Sequence, residues 1–267
     1  MKDKVVIITG ASSGIGRGLA IKYAQEGSKL VLAARRIGRL KEIEKQFPEV
    51  DIISIKTDVT IEDDCRELIN AAVSKFGRID ILINNAGLAM RSLFEDVEIK
   101  VLKKVMDVNF WGTVYCSKYA VPYLLKSKGS LVGVNSIAGY VGLPGRTGYT
   151  ASKFATRGLL ETIRIENYKN RLHVLVAAPG FTATEVREAS LNADGTPQGK
   201  SPRNENKMMS AEECARHIYK AIRKRKRTLI LTFTEGKLTV FVGKIAPRIL
   251  DKITFYYMSK EKNSPFK

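Results

Sequence analysis

Short, predominantly apolar runs alternate along the chain with longer segments of helical periodicity. The apolar runs span residues 5–8, 30–33, 52–55, 79–83, 131–134, 173–177 and 228–231. Strands that are apolar on both faces are typical of parallel sheets covered by helices on each side. The pattern therefore predicts an α/β fold with a doubly wound, mostly parallel, seven-stranded sheet and helices on both of its faces.

The alternation continues without a repeat or a low-complexity linker, so residues 1–232 are predicted to form a single domain. Within it, residues 181–209 are polar and rich in turn formers. A loop of this length is either disordered or functional, and we favour a substrate lid. Residues 233–267 are predicted to form a basic amphipathic C-terminal extension, in which Pro247 separates two helices.

The first apolar run ends in a glycine-rich turn, Thr9-Gly10-Ala11-Ser12-Ser13-Gly14-Ile15-Gly16. Glycines let the backbone turn tightly and approach a pyrophosphate, and the helix that follows offers free N–H groups at its amino end. At the end of a first strand, this turn predicts a Rossmann-type dinucleotide site, although its G-x-x-x-G-x-G spacing departs from G-x-G-x-x-G. The residues predicted to contact the cofactor here are Gly10, Ser12, Ser13, Gly14, Ile15 and Gly16.

The end of the second apolar run predicts which dinucleotide binds. A carboxylate at this point would hold a ribose 2′-hydroxyl, but the chain has Ala34 followed by Arg35 and Arg36. Because no carboxylate repels a 2′-phosphate and a guanidinium group can bind one, the predicted cofactor is NADP(H). The alternative is that both arginines only begin a solvated helix. After the third run, Asp58 and Val59 are predicted to contact the adenine.

Tyr149 and Lys153 are four residues apart in a segment without proline, so their side chains are predicted to share one face of a helix. A nearby ammonium group lowers the pKa of a tyrosine from about 10, which suits proton exchange near neutral pH. Ser136, thirteen residues before Tyr149, is predicted to hydrogen-bond the same substrate oxygen. The spacing alone is weak evidence, because Tyr256 and Lys260 repeat it.

Taken together, these motifs resemble the short-chain dehydrogenase/reductase family. The matching residues follow the family's order over residues 5–184: Thr9 to Gly16, Asp58, Asn84 to Gly87, Asn109, Ser136, Tyr149, Lys153, Pro179, Gly180 and Thr184. The catalytic set that the resemblance implies is Asn109, Ser136, Tyr149 and Lys153. The further cofactor contacts that it implies are Asn85, Ala86, Gly87, Tyr149, Lys153, Pro179, Gly180, Thr182 and Thr184.

The resemblance also implies a role for each catalytic residue. Tyr149 donates a proton to a substrate carbonyl as hydride arrives from the nicotinamide, and Ser136 stabilises the developing alkoxide. Lys153 lowers the pKa of Tyr149 and holds the nicotinamide ribose, while Asn109 supports a water chain to Lys153. Two alternatives stay open: Asn109 as an ordinary polar helix residue, and Thr184 as the cap of a helix. Beyond residue 184 the chain is similar to 11β-hydroxysteroid dehydrogenases and acyl/alkyl-dihydroxyacetone-phosphate reductases.

The net charge of +18 implies attraction to an anion. A phosphorylated cofactor, an anionic membrane surface and nucleic acid are the candidates, and a merely solvated basic surface is the alternative. The cationic run Arg223–Arg227 contains no aromatic residue for base stacking, so no nucleic-acid binding is predicted. In the C-terminal extension, apolar and basic stripes lie side by side. They predict either peripheral contact with a membrane surface or packing on the catalytic domain or a second subunit.

The chain has no run of 18 apolar residues and no signal peptide, which predicts a cytoplasmic protein. Three scattered cysteines and two histidines predict no metal site.

The whole pattern predicts an NADP(H)-dependent oxidoreductase that interconverts a carbonyl and a secondary alcohol. The expected reaction is reduction of a hydrophobic, lipid-like or steroid-like ketone. The rival prediction is a redox sensor that binds the dinucleotide without turnover. The resemblance also implies a homodimer or homotetramer.

Overall fold

The computed structural model describes residues 1–199, 208–261 and 264–266. Within them, one parallel sheet has seven strands in the order β3-β2-β1-β4-β5-β6-β7. The strands are β1 (Val5–Thr9), β2 (Lys29–Ala34), β3 (Ile52–Lys56), β4 (Ile81–Asn84), β5 (Ser130–Val134), β6 (His173–Ala178) and β7 (Thr228–Ile230). The predicted doubly wound sheet is confirmed, and its winding direction reverses between β1 and β4.

Helices connect the strands and continue beyond the last of them. They are α1 (Gly14–Gln25), α2 (Ile37–Gln46), α3 (Glu62–Phe76), α4 (Ile99–Met106), α5 (Gly112–Ser127), α6 (Thr147–Glu166), α7 (Ala211–Arg223), α8 (Thr239–Ile245) and α9 (Pro247–Ser259). Local chemistry sets several of their ends. α3 ends at Gly77, whose φ of 71° glycine adopts readily, and Ser210 caps α7 by accepting a hydrogen bond from the Glu213 amide.

Alternate side chains of the central strands enter two cores, one on each face of the sheet. Val6 and Ile8 of β1 pack with Leu19 of α1 and Ile218 of α7. Ile7, between them, belongs to the opposite core, which α3, α5 and α6 cover. Every residue of β1 is buried, and apolar burial contributes about 25 cal/mol per Å². Because the central strands are packed on both faces, their ends are held rigidly, and so are the starts of the loops that follow them.

Helical periodicity over residues 98–126 predicts a single helix, but the structure divides this segment. One wider π-helical turn, Asp107–Trp111, joins α4 to α5, so the path is continuous while the hydrogen-bond spacing changes. Turns of this kind are rare and are frequent at functional sites. Asn109 lies in this turn and is buried against the loop that follows β4.

The C-terminal segment, residues 233–261, begins with a π-helical turn that leads into α8, and Pro247 opens α9. The predicted break at this proline is confirmed. Val240 and Leu250 are buried in a small core that includes Ile137. The exposed apolar side chains of the segment are Phe233, Leu238, Phe241, Ile245, Ile249, Ile253, Phe255, Tyr256 and Tyr257. Among the described residues, none of the helices combines the length and the apolar character needed to cross a bilayer.

The end of this segment is attached to the start of α6 by a buried ion pair. The carboxylate of Glu261 lies 2.9 Å from the guanidinium group of Arg146 and 3.3 Å from that of Arg91. Arg146 directly precedes α6, which carries Tyr149. Removing one partner of a buried pair is strongly destabilising, so this contact holds the C-terminal segment and the start of α6 together.

Candidate active site

A cavity of about 470 Å³ lies at the carboxyl ends of β1, β2 and β4, where the winding of the sheet reverses. Such a crevice is the usual ligand site of doubly wound sheets. The predicted residues that line it are Gly10, Ser12, Ser13, Gly14, Ile15, Arg35, Arg36, Asp58, Val59, Asn85, Ala86, Gly87, Tyr149, Lys153 and Thr184. The fold thus brings most of the predicted cofactor residues and two of the four predicted catalytic residues into one site.

The predicted residues outside this lining are Gly16, Asn109, Ser136, Pro179, Gly180 and Thr182. Gly16 lies behind the glycine-rich turn, where a Cβ would clash with the carbonyl oxygen of Gly10. Gly180 and Thr182 follow β6 and are joined to each other, because the Thr182 hydroxyl donates a hydrogen bond to the Gly180 carbonyl (3.2 Å). The cofactor contacts of residues 179–182 stay predictions.

Residues after β4 hold the glycine-rich turn in shape. Gly10 and Gly14 have φ angles of 66° and 51°, in the left-handed region that glycine adopts without strain. The side-chain amide of Asn85 donates hydrogen bonds to the carbonyl oxygens of Thr9 (3.0 Å) and Gly10 (3.2 Å). The Ser13 side chain makes no cap hydrogen bond at the start of α1. The N–H groups of that first turn are therefore available to an anion.

Arg36 extends from the end of β2 to the same turn. Its guanidinium group donates hydrogen bonds to the hydroxyl oxygens of Ser12 (3.3 and 3.4 Å) and Ser13 (2.9 Å). Arg36 and Arg39 of α2 both pair with the carboxylate of Glu185, at 3.1 and 2.8 Å. Burial alone would raise the pKa of Glu185, but hydrogen bonds from Arg39 and Arg36 lower it overall. Two guanidinium groups thus converge on one carboxylate, and one of them also contacts two hydroxyl groups.

Arg39 and Glu185 belong to no motif that the sequence alone makes visible. Arg39 lies three residues after Arg36 on a helix, and this spacing is a signal that identifies it once Arg36 is assigned. Glu185 is 149 residues from Arg36, in the predicted lid, and no local signal connects them. Residues 185–189 form turns rather than a helix, so the alternative role of Thr184 as a helix cap is wrong.

Tyr149 and Lys153 share one face of α6, as predicted. The Lys153 Nζ lies 5.6 Å from the centre of the Tyr149 ring and donates a hydrogen bond to the carbonyl oxygen of Val134 (3.1 Å) at the end of β5. Ser136 follows β5 and is close enough to the side chain of Tyr149 to lower the pKa of that phenol. The side-chain amide of Asn135 donates a hydrogen bond to the Lys153 carbonyl (3.0 Å), which fixes α6 against the end of β5.

The pKa values of this pair in the free protein differ from the prediction. Burial raises the pKa of Tyr149 above its usual value, against the opposing effects of Ser136, Arg146 and Arg187. Burial also lowers the pKa of Lys153 to about 8. The predicted lowering of the Tyr149 pKa is not found, because desolvation of the phenol outweighs nearby charge and the ammonium group is directed at a carbonyl oxygen.

Replacing Lys153 with methionine is expected to change how stability depends on pH. The pKa of Lys153 is about 8 in the native state and 10.5 in the unfolded chain, so the unfolded chain binds more protons between these values. The free energy of unfolding of the wild type, relative to Lys153→Met, should therefore rise by roughly 2 kcal/mol from pH 8 to pH 10. Urea unfolding at several pH values measures this difference, and a constant difference between the two proteins would contradict it.

Asn109 holds the loop that follows β4. Its side-chain nitrogen donates hydrogen bonds to the carbonyl oxygen of Leu88 (2.9 Å) and the hydroxyl of Ser152 (2.8 Å). Its side-chain oxygen accepts one from the Leu88 amide (2.7 Å). A Cβ at Gly87 would lie 3.4 Å from the Asn109 Oδ1 and 3.7 Å from the Lys153 Nζ. The alternative of an ordinary helix residue does not fit this buried position, and the water chain to Lys153 stays a prediction.

An apolar wall lies beside the Tyr149 ring. Met90, Val101 and Leu191 form its buried centre, and Tyr149 packs against it. Leu191 belongs to the predicted lid, where its amide donates a hydrogen bond to the carbonyl oxygen of Ala89 (2.9 Å). This part of the predicted lid is therefore attached to the loop after β4, whereas residues 200–207 of the prediction lie outside the described residues.

Tyr256 and Lys260 show the same spacing at exposed positions. They lie at the end of α9, where Lys260 donates a hydrogen bond to the Tyr256 hydroxyl. Tyr256 is 61% exposed, whereas Lys153 is 5% exposed. The Tyr-x-x-x-Lys spacing therefore brings a tyrosine and a lysine together at both places. Only the pair Tyr149 and Lys153 lines the cofactor cavity.

Solved structures of other proteins share this fold. An alcohol dehydrogenase from the archaeon Thermococcus sibiricus, complexed with 5-hydroxy-NADP, superposes with a TM-score of 0.76 at 24% identity, over 85% of this chain and 94% of that one. A short chain dehydrogenase/reductase from Burkholderia phymatum, in complex with NAD, superposes with a TM-score of 0.78 at 23% identity, over 100% of this chain and 98% of that one. At these identities the likeness shows the fold alone.

Sequence comparison gives the family. The model of the short chain dehydrogenase family matches residues 4–194. A protein of Arabidopsis thaliana named 11-beta-hydroxysteroid dehydrogenase-like 2 is 36% identical over 259 residues, which are 95% of this chain and 81% of that protein. With the glycine-rich turn, Tyr149 and Lys153 at one cavity, the chain belongs to the short-chain dehydrogenase/reductase family of oxidoreductases.

Proposed function

We propose that this enzyme uses NADP(H) to interconvert a carbonyl and a secondary alcohol, and that it reduces a hydrophobic, lipid-like or steroid-like ketone. The observation that carries the proposal is a single cavity lined by the arginine at the end of β2 and by the Tyr149 and Lys153 pair. A dinucleotide that reaches from one to the other would place its extra phosphate on Arg36 and its nicotinamide near Tyr149.

The residues present fit the 2′-phosphate of NADP(H). Solved relatives bind both forms of the cofactor, so the fold does not choose between them. Here Arg36 and Arg39 already hold an anion, the Glu185 carboxylate, and Arg36 also donates hydrogen bonds to the hydroxyl groups of Ser12 and Ser13. Charge-assisted hydrogen bonds to phosphate are stronger than those to neutral oxygens. This set of donors supports a phosphorylated ribose over an unphosphorylated one.

The residues at the other end of the cavity fit proton transfer to a ketone oxygen. When bound, the reduced nicotinamide supplies the hydride. Burial keeps Tyr149 protonated, so its hydroxyl is available as the acid at neutral pH. Ser136 donates a hydrogen bond to the same substrate oxygen as negative charge develops on it. Lys153, whose pKa is about 8, is mostly protonated at pH 7 and favours the phenolate that forms.

An apolar substrate is supported by the surface beside Tyr149. The side chains that pack there are Leu88, Met90, Val97, Val101, Leu102, Val105 and Leu191. A relative from Arabidopsis thaliana is named 11-beta-hydroxysteroid dehydrogenase-like 2, and a hydroxysteroid is a large, apolar alcohol. Both observations favour a large, apolar ketone over a sugar.

A panel of ketones assayed with NADPH and with NADH in parallel tests the proposal. Steroid and long-chain lipid ketones should be reduced with NADPH at rates well above those with NADH. Turnover of polar sugars alone would contradict the proposed substrate class. Equal rates with both cofactors would contradict the proposed preference for NADPH.

The rival function, a dinucleotide sensor without turnover, is less well supported. A sensor has no need for a proton donor, yet Ser136, Tyr149 and Lys153 are all present and positioned in the free protein. The same assay separates the two functions, since a sensor would bind NADPH while reducing no member of the panel.

We also propose that the C-terminal segment contacts an anionic membrane surface. Several large apolar side chains of α8 and α9 are exposed, including Ile245 (65%) and Ile249 (58%). The neighbouring cations are Lys237, Lys244, Arg248 and Lys252, all exposed. Apolar and cationic side chains in this arrangement match the acyl and phosphate layers of an anionic membrane.

Replacing Ile245, Ile249 and Ile253 together with glutamine is expected to abolish flotation with phosphatidylserine-containing vesicles. The matched control is Ile61→Gln with Ile99→Gln, two exposed isoleucines on other helices or their starts. Flotation of the wild type should weaken at high salt, because the lysines and arginines contribute through screened charge. Wild-type protein that fails to float at low salt would contradict the membrane proposal.

We propose further that the enzyme is a homodimer or homotetramer. Exposed aromatic and aliphatic side chains lie on the helices between β4 and β6: Trp111 (44%), Phe154 (43%) and Ile165 (70%). Exposed apolar groups of this size often mark an interface. Analytical ultracentrifugation at micromolar concentration measures the state, and a monomer there would contradict the proposal.

A further inference from the structure

A second cavity, of about 570 Å³, lies at the amino ends of β5, β6 and β7, the edge of the sheet opposite the active site. Its basic lining residues are Lys128, Arg164, Arg171, His173, Arg225 and Arg227, and the lining as described contains no aspartate or glutamate. We call it the amino-edge cavity. Its volume lies in the range of small-molecule sites, and it includes part of the cationic run that the active site does not use.

Three turns that form this cavity place a long cation where glycine is favoured. Lys128, Arg171 and Arg225 have φ angles of 49°, 58° and 47°, in the left-handed region. Each residue stands two or three positions before a strand, at the end of the preceding helix or turn. Non-glycine residues held in this region cluster at functional sites. In three adjacent turns, a lysine or arginine therefore occupies a position where glycine would be less strained. This indicates that the positive charge has a role there that outweighs the backbone strain.

The cavity walls are fixed by arginines that bind backbone carbonyls. Arg225 donates one hydrogen bond to the carbonyl oxygen of Lys128 (3.1 Å) and another to that of Arg171 (2.8 Å), which joins the three turns. Arg164 donates hydrogen bonds to the carbonyl oxygens of Val174 (3.1 Å) and Arg227 (3.2 Å). The positive groups are therefore positioned before any ligand arrives.

No carboxylate of the described lining neutralises the charge of this cavity, and Glu161, which acts on Arg164, lies outside that lining. The Nη1 atom of Arg164 is buried and has no hydrogen-bond partner among the described residues. Burial lowers the pKa of Arg164, and the charge of Arg227 lowers it further. Burial likewise lowers the pKa of His173, and the positive charges of Arg225 and Arg164 lower it further. Mutual repulsion of this kind is relieved when an anion enters.

We propose that the amino-edge cavity binds a multiply charged phosphate anion, of which pyrophosphate is the simplest example. Guanidinium groups bind phosphate oxygens through two parallel hydrogen bonds, so arginine-rich cavities favour phosphates over halides or single carboxylates. The volume of the cavity is that of a small-molecule site, so a small anion is the expected occupant. The site is independent of the cofactor cleft and of the proposed reaction.

Calorimetric titration with pyrophosphate at low salt tests the proposal. The informative variant is Lys128→Gln/Arg171→Gln/Arg227→Gln, since these side chains form no hydrogen bond or ion pair within the described part of the chain. The cofactor cleft also attracts phosphates, so Arg36→Gln/Arg39→Gln serves as the second variant. A third, Lys103→Gln/Lys104→Gln/Lys118→Gln, removes the same charge from exposed positions on α4 and α5.

The amino-edge variant is expected to bind pyrophosphate at least tenfold more weakly at one site, while the cofactor-cleft variant keeps that site. Equal melting temperatures of the variants without ligand would show that the fold is intact. Unchanged binding by the amino-edge variant would overturn the proposal. So would an equal loss in the α4 and α5 variant, which would indicate diffuse counterion attraction, or a gel shift of duplex DNA that pyrophosphate does not compete away.

Discussion

Replacing Tyr149 with phenylalanine is expected to lower kcat for ketone reduction by roughly 10²–10⁴-fold, the usual contribution of a positioned general acid. Burial raises the pKa of the Tyr149 hydroxyl above its usual value, so it carries a proton throughout the neutral range. Phenylalanine keeps the ring that packs beside Met90, Val101 and Leu191. The variant should therefore lose the proton donor while it keeps the apolar wall.

Binding and turnover separate the catalytic role of Tyr149 from a structural one. The Kd for NADPH should change by less than about threefold, because the phosphate and glycine-rich turn contacts lie elsewhere in the cavity. The matched control is Tyr256→Phe, which removes a hydroxyl from the exposed pair with the same spacing. That variant should keep full activity. More than a tenth of wild-type kcat in Tyr149→Phe would contradict the assigned role.

The sheet could be predicted because each strand is apolar on both faces. Val6, Ile7 and Ile8 alternate between two cores, and only a strand covered twice needs that composition. The π-helical turn at Asp107–Trp111 could not be predicted, because periodicity over a long segment does not report a single wider turn. The position of the buried Asn109 amide depends on that turn, so its contacts with Leu88 and Ser152 could not be predicted from the sequence either.

The motif residues of the site could be predicted, but the electrostatics around them could not. The spacing of the glycines and the interval between Tyr149 and Lys153 are properties of short segments. The residues of both segments line the same cavity. The pKa of Tyr149 depends on burial by segments far away in the chain, which no spacing encodes. The Glu185 contact with Arg36 likewise spans 149 residues. Tertiary contacts of this kind decide the charge state of a site whose residues the sequence already names.

Removing Arg36, at the end of β2, together with Arg39 of α2 is expected to convert the cofactor preference. In Arg36→Gln/Arg39→Gln, the Kd for NADPH should rise roughly 10²-fold, because two charge-assisted hydrogen-bonding groups are lost from half-exposed positions. The Kd for NADH should change by less than about threefold, since NADH has no 2′-phosphate. Titration of both cofactors by tryptophan or nicotinamide fluorescence measures the ratio, and an equal rise for both would contradict the assignment.

Glu185→Gln provides the opposite test of the same position. In the free protein the Glu185 carboxylate occupies the guanidinium groups that a 2′-phosphate needs, so the incoming phosphate must displace it. The neutral glutamine should therefore lower the Kd for NADPH several-fold and leave that for NADH nearly unchanged. Weaker NADPH binding in this variant would mean that the carboxylate positions the arginines for the phosphate instead of competing with it. Since the two arginines and Glu185 form one cluster, the triple variant should match the arginine double variant, because the carboxylate then has no guanidinium group to withhold.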